Sequence, residues 1–245
     1  MAEKVCGLHA VTALLEGDAG AVTELWVQRT RKDRRLERLL GLARRRVGMV
    51  HEVERAELDR LVPGVRHQGV VALARSGHPR GEPDIEPLLE AAGPAPLVLI
   101  LDGIQDPHNL GACLRTADGA GVTLVVAPRD RAVGLTPTVR KVACGGAETV
   151  PFIQVANLAR TLKLLADRGL KRVGLEGMAA APLSDCDLRG PLALVMGGEE
   201  KGLRHRTREH CSEFAAIPLK GTVESLNVSV AAGIALFEAV RQRDR

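Results

Sequence analysis

The sequence predicts an α/β protein in two parts. A small N-terminal α/β domain covers residues 1–75, and a larger α/β domain with a parallel sheet covers residues 97–245, after a Pro/Gly-rich linker at 76–96. Three observations carry this reading. From residue 97 onward, near-continuous apolar runs alternate with helical patterns, and uniformly apolar strands between helices imply a parallel sheet covered on both faces. Five of the thirteen prolines (Pro79, Pro83, Pro87, Pro94 and Pro96) fall between residues 76 and 96, the composition of a semi-rigid connection. Before it, helix-like and strand-like patterns alternate over about 75 residues, a length compatible with independent folding.

In the N-terminal part, residues 9–15 read as a helix and 24–27 as a short strand. Leu36, Leu39, Leu40, Ala43 and Val47 recur at helical spacing, which makes the Arg-rich stretch an amphipathic helix with its arginines fanned outward. Residues 47–53 and 70–73 read as further strands. In the C-terminal part, strands are expected at 97–101, 124–126, 173–175 and 192–196, and helices at 110–119, 155–167 and 228–241. Ligands on open parallel sheets bind beyond the carboxyl ends of the strands, so the loops there are the first candidates for a site.

Composition removes several classes. With 245 residues, 45% apolar and 26% charged, the chain is long enough to bury a sizeable core and is neither collagen-like nor wholly disordered. Aromatic residues make up only 2% (three Phe, one Trp, no Tyr), which argues against a sheet that reads RNA by stacking successive bases. The five cysteines (Cys6, Cys113, Cys144, Cys186 and Cys211) are dispersed and form no C-x-x-C pair, so zinc ribbons and thioredoxin-like chemistry are not expected. His205 and His210 have the wrong spacing for a zincin helix, and no metal is expected. The start lacks a charged-then-apolar leader and no run approaches 18 apolar residues, so the expectation is a cytoplasmic protein with no membrane partner.

The net charge of +4 is unevenly distributed. Residues 1–80 carry 15 Lys/Arg against 10 Asp/Glu, whereas residues 81–245 carry 19 against 20. Nine basic residues lie between positions 29 and 46, with only Asp33 and Glu37 against them. This is either a solvated helix face or an electrostatic footprint for nucleic acid phosphates, in which Arg31, Arg34, Arg35 and Arg38 are the candidate RNA-binding residues.

Three Gly-bearing loops follow apolar strands. They begin at Asp102, at Gly197 and at Ile217, and none is a standard nucleotide signature. Neither G-x-G-x-x-G, nor G-x-x-x-x-G-K-[ST], nor G-x-S-x-G occurs there. The phrases DPHNLGACLRTADGAG (106–121), LVMGGEEKGLR (194–204) and IPLKGTVESLNVSVAAGIALFEAVRQ (217–242) instead resemble, in order, the three motifs of SpoU/TrmH-type RNA ribose 2′-O-methyltransferases of the SPOUT superfamily. The resemblance covers roughly residues 97–243. CGLHAVTALLE (6–16) and VRHQGVVALAR (65–75) resemble the ribosomal-protein-like substrate-binding module that precedes the catalytic domain in one branch.

The resemblance implies a homodimer, a deep trefoil knot in the C-terminal domain, and S-adenosyl-L-methionine (S-adenosylmethionine) as cofactor. It implies methylation of a guanosine ribose in 23S rRNA, free or within a pre-ribosomal particle. A tRNA substrate, or a non-catalytic ribosome-assembly role on the same fold, are the alternatives. Asn109, Arg115, Glu199, Ser225 and Asn227 are carried over as catalytic positions; Gly197, Ile217 and Leu226 are carried over as positions whose backbone holds the cofactor. Helix capping is a simpler role for Asn109, Glu199, Ser225 and Asn227, and an ion pair with Asp118 for Arg115. The family implies a general-base role for Arg115; since guanidinium keeps its proton, phosphate binding or alkoxide stabilisation is the other possibility.

Overall fold

A computed structural model describes residues 2–16, 22–30, 33–75, 80–199 and 202–244. The chain divides into two compact units, Met1–Pro79 and Arg80–Arg245. Among the described residues no helix is long and apolar enough to cross a membrane, and no group of three or more His, Cys, Asp or Glu side chains is placed to hold a metal ion.

The first unit runs β1 (Ala2–Cys6), α1 (Leu8–Glu16), β2 (Val22–Gln28), α2 (Arg34–Arg46), β3 (Met49–Val53), α3 (Arg55–Leu61) and β4 (Val70–Arg75). Its sheet has the order β1-β4-β2-β3; β4 is antiparallel to both neighbours and β2 is parallel to β3. The two-residue period of the strands splits the core. Leu25, Val27, Val70 and Ala72 face α1 and α2, while Val71 and Trp26 pack with Leu58 and Val62. Helix α2 starts at Asp33, whose carboxylate accepts from the backbone N–H groups of Arg35 and Leu36. It buries Leu36, Leu39 and Ala43 and leaves Arg34, Arg35 and Arg38 exposed. Arg31 lies outside the described residues. Arg38 is paired with Glu16 at 2.9 Å.

The second unit continues with α4 (Ile85–Ala91), β5 (Leu97–Asp102), α5 (Pro107–Gly119), β6 (Leu124–Pro128), α6 (Pro137–Ala143), α7 (Gly146–Thr149) and β7 (Phe152–Val155). It ends with α8 (Leu158–Asp167), β8 (Lys171–Leu175), β9 (Leu192–Gly197), α9 (His205–Glu209), β10 (Glu213–Ala215) and α10 (Val228–Arg243). All strand pairs are parallel, in the order β10-β8-β9-β5-β6-β7. Leu97, Leu99 and Leu101 point to the face covered by α5 and α10, and Val98 and Ile100 to the opposite face with Leu162 and Leu165 of α8. The order reverses between β5 and β9, where a crevice opens beyond the strand ends, the usual place for a ligand on this type of sheet.

Two sequence expectations are corrected. The 76–96 stretch is not a linker throughout. Residues 76–79 lie outside the described residues, but α4 forms within the stretch and buries Ile85 and Leu89 under the sheet. Pro87 is accommodated because it sits in the first turn of that helix, where its missing N–H breaks no helical bond. The 155–167 helix is also shortened. Val155 ends β7, fully buried, and α8 begins only after Asn157, whose side chain accepts from Arg160 N–H at 3.1 Å.

Candidate active site

The loops after β5 and β9 are pinned to one another by a buried carboxylate. Asp102 ends β5 opposite Gly197 of β9, and its side chain is fully buried. Its Oδ2 accepts from the backbone N–H of Arg204 at 3.0 Å, and Arg204 Nε lies 3.3 Å from Oδ1. Between them the chain doubles back tightly. A Cβ on Gly197 would stand 2.1 Å from the carbonyl carbon of Gly202, so only glycine permits this approach. The Gly197 requirement therefore comes from the loop's own backbone.

Three of the expected site residues meet here. Asn109 lies in the first turn of α5, buried, and donates from Nδ2 to Glu199 Oε1 at 2.8 Å. Asn227 donates from Nδ2 to Asn109 Oδ1 at 3.0 Å, while its Oδ1 accepts from Ser229 N–H at 2.9 Å and Ser229 Oγ at 2.6 Å. The direction of this chain is forced. A backbone N–H can only donate, so Asn227 must present Oδ1 to Ser229 and its amide NH₂ to Asn109; Asn109 must then turn its own NH₂ toward Glu199. One N–H of Asn109 remains outside both bonds.

The capping roles resolve accordingly. Asn227 caps α10 and also bonds to Asn109. Asn109 caps nothing, because the cap of α5 is Asp106, which accepts from His108 N–H at 2.8 Å. Glu199 caps nothing either; α9 is preceded by Arg204 without a side-chain cap. Ser225 is exposed, stands two residues before the cap and is not part of the chain.

Arg115 is exposed on α5, and the Asn109–Glu199–Asn227 chain does not include it. Its Nη1 donates to Cys144 Sγ at 3.6 Å, and Asp118 is engaged by Thr149 Oγ1 in place of the expected ion pair. Helix α5 is held by close packing against α6: a Cβ on Gly111 would come 2.7 Å from that of Val142. Cys113, one turn after Asn109, is not a nucleophile. Burial, and then the charge of Glu199, push its thiol up to about 12.

Two pockets lie at these loops. One, of about 400 Å³, is lined by Asp102, Gly103, Asn109, Gly198, Glu199 and Arg204. The other, of about 410 Å³, is lined by Gly177, Ala180, Pro182, Ile217, Leu219 and Glu224. Of the three expected cofactor positions, Ile217 lines this second pocket, Gly197 shapes the neighbouring loop, and Leu226 sits half-buried just before Asn227. Among the described residues, no backbone group of residues 217–226 enters a backbone–backbone hydrogen bond. These N–H and C=O groups are available to a polar ligand. Neither Asp102 nor Arg204 is among the residues the sequence singles out; a lone Asp closing an otherwise apolar strand run is the signal for the first.

Comparison with known proteins gives the family. Residues 96–237 match the SpoU rRNA Methylase family, and residues 4–79 match the family described as RNA 2′-O ribose methyltransferase substrate binding. The chain is 53% identical over 241 residues to the 23S rRNA (guanosine-2′-O-)-methyltransferase RlmB of Pseudomonas putida, covering 98% of this chain and 97% of the relative. It is 50% identical to the protein of the same name from Pectobacterium atrosepticum, covering 99% of each. Among solved structures, an RNA 2′-O ribose methyltransferase superposes with a TM-score of 0.76 at 27% identity, covering 100% of this chain and 90% of that one. The SpoU methyltransferase AviRb of Streptomyces viridochromogenes, in complex with AdoMet, gives 0.77 at 23% identity over 98% and 90%, a likeness of fold.

Proposed function

Because the chain belongs to the SpoU rRNA methylase family, we propose that it transfers a methyl group from S-adenosylmethionine to the ribose 2′-hydroxyl of a guanosine in 23S rRNA. The observation that carries this reading is the Asn227–Asn109–Glu199 chain. It runs from the end of the 217–226 loop to the pocket at the β5/β9 switch point.

The cofactor fits the pocket beside Ile217. Adenine and ribose need several hydrogen-bonding partners in fixed positions, and the uncommitted backbone of residues 217–226 offers them without demanding particular side chains. When bound, S-adenosylmethionine supplies a methyl carbon made electrophilic by its sulfonium sulfur. The remaining N–H of Asn109 then holds the incoming ribose oxygen. Arg115 stabilises the negative charge that develops on that oxygen, a role a permanently protonated guanidinium fills better than that of a base. Glu199, whose Oε2 is outside the bond to Asn109, accepts the hydroxyl proton. Pre-placing the reacting atoms is worth about 7–11 kcal/mol, so this chemistry needs no covalent intermediate.

The active form is a homodimer in this reading. Val230, Ile234 and Phe237 lie on one stripe of α10 and are 51%, 42% and 50% exposed. Such a stripe on a helix packed beside α5 suits burial against a second copy, which would bring Arg115 of one subunit to the pocket of the other. The C-terminal domain is read as a trefoil knot, supported by the return of α10 onto α5 after the 197–204 and 217–227 loops. The N-terminal unit is read as the RNA-binding part. The test is transfer of labelled methyl to a 23S rRNA transcript followed by alkaline hydrolysis. Ribose methylation blocks cleavage at the target, and a methylated product that still cleaves there would overturn the assignment.

A further inference from the structure

The N-terminal unit contains a cavity that the arginine face of α2 does not explain. It has a volume of about 360 Å³ and is lined by His9, Arg35, Arg55, Arg66, His67 and Gln68, among others. The arginines come from three separate places: the first turn of α2, the first residue of α3, and the loop before β4. Among the described residues, Arg35 and Arg66 have no carboxylate partner, whereas Arg38 is bound to Glu16 and Arg29 reaches Glu52 O and Glu54. The acid within the cavity, Asp59, is already engaged by His67 at 2.9 Å, with Arg55 at 3.9 Å.

The cavity has a fixed floor. His67 is only 5% exposed, and its Nδ1 accepts from Gly69 N–H at 3.0 Å. Its Nε2 must therefore carry the ring proton and donate it to Asp59 Oδ1, which fixes both the tautomer and the ring orientation. Gln68, beside it, adopts a left-handed φ of +51°, uncommon outside glycine, and its Oε1 accepts from Leu8 N–H at 3.3 Å. Backbone strain and a pinned histidine thus hold the 66–69 loop against the start of α1 at the point where the cations converge. These two loops belong to the CGLH and RHQG phrases singled out in the sequence.

We propose that this cavity binds one unpaired nucleotide of the RNA substrate, with Arg35, Arg55 and Arg66 on its phosphates and the base and sugar in the space beside His9 and Gln68. The inference rests on the reading of the N-terminal unit as the RNA-binding part, and it moves the principal contact from the outer face of α2 to this cavity. The volume falls within the usual range of small-ligand clefts, about 300–1,000 Å³. The fork of a guanidinium matches phosphate geometry, and single-stranded RNA offers unstacked nucleotides that duplex RNA does not.

The experiment uses the full chain and a 23S rRNA transcript, without cofactor for binding and with it for turnover. Arg55→Ala and Arg66→Ala are each expected to weaken RNA binding about tenfold or more, the scale of a lost charge-assisted hydrogen bond, and to lower the salt slope. They should raise KM for RNA and leave kcat at saturating RNA unchanged. Arg44→Ala and Arg45→Ala, exposed on α2 away from the cavity lining, should have little effect. RNA should also protect Arg66 from phenylglyoxal modification read by mass spectrometry. Unchanged affinity in both cavity variants, or losses equal to those of the α2 controls, overturns the proposal. So does tight binding of guanosine monophosphate or inorganic phosphate that RNA does not compete with. If binding depends on these arginines but no ribose is methylated, the proposed activity fails and the cavity assignment stands.

Discussion

Asn227 Nδ2 lies 3.0 Å from Asn109 Oδ1, joining the cap of the last long helix to the first turn of a helix 118 residues earlier. The same side chain thus serves stability through its oxygen and the candidate site through its nitrogen. That division makes the two roles separable by mutation.

Asn227→Asp keeps an oxygen for Ser229 N–H but places a second acceptor against Asn109 Oδ1. Thermal stability should change little while methyl transfer falls at least tenfold. Asn227→Ala removes both contacts and should also lose about 1 kcal/mol of stability from the cap. Melting curves beside single-turnover rates will show whether the effects part as expected.

Gly197→Ala tests the loop. Its Cβ would meet Gly202 at 2.1 Å, so the 197–203 turn cannot keep its path and cofactor binding should be lost by calorimetry. Gly202→Ala meets nothing within 4 Å and carries only the strain of a φ of +60°, roughly 1–2 kcal/mol. It should bind cofactor nearly normally; equal losses in both would show that backbone crowding is not the reason for glycine at 197.

A site shared between subunits has a quantitative signature. If Arg115 serves the neighbouring subunit as proposed, Arg115→Ala removes the charge it contributes there. Gly177→Trp fills the proposed cofactor pocket from a position where an added Cβ makes only an ordinary 3.6 Å contact with Glu224 O. Each homodimer should be inactive. Co-refolding equal amounts makes about half of the dimers mixed, each with one sound site, so activity should recover to about a quarter of wild type. With mixed dimers confirmed by native mass spectrometry, no recovery would mean that each site draws on one chain only.

The buried Cys113 and half-buried Cys211 should make stability fall in alkali. Burial pushes Cys113 up to about 12 and Cys211 up to about 11, from an ordinary 9.0. Folded thiols that hold their protons more tightly than unfolded ones contribute stability that is intact below pH 9 and is lost as the pH rises through 11 and 12. Urea midpoints should drop between pH 8.5 and pH 10.5, and Cys113→Ala should flatten part of that drop. At pH 8, alkylation of the native protein should modify exposed Cys144 and spare Cys113 and Cys211.

The central strands were legible because burial on both faces leaves them uniformly apolar, as in Leu97 to Leu101. The short edge strand β10, with Glu213 and Phe214 half-buried, carries no such pattern. Helix α4 was hidden by the prolines around it and by Pro87, which its first turn tolerates. The three motif loops were legible as a set, but their meeting was not. No spacing rule in the sequence brings Asn109 into hydrogen bonds with both Glu199 and Asn227, and only the strand order places their loops at one crevice. The arginine run drew attention to Arg34 and Arg38, while Arg55 and Arg66, isolated in sequence, share a cavity with Arg35.

The insertion of β9 between β5 and β8 governs how this protein emerges from the ribosome. Strands β5, β6 and β7 can pair as they are made, but one edge of β5 waits for residues 192–197, roughly a hundred residues later in synthesis. During that interval one of the most apolar segments of the chain presents open backbone groups, the condition that favours wrong pairing between nascent chains. Folding of the catalytic half is therefore a late event, completed only after its sheet centre has been translated, and its yield in the cell should depend on chaperones more than that of the N-terminal unit.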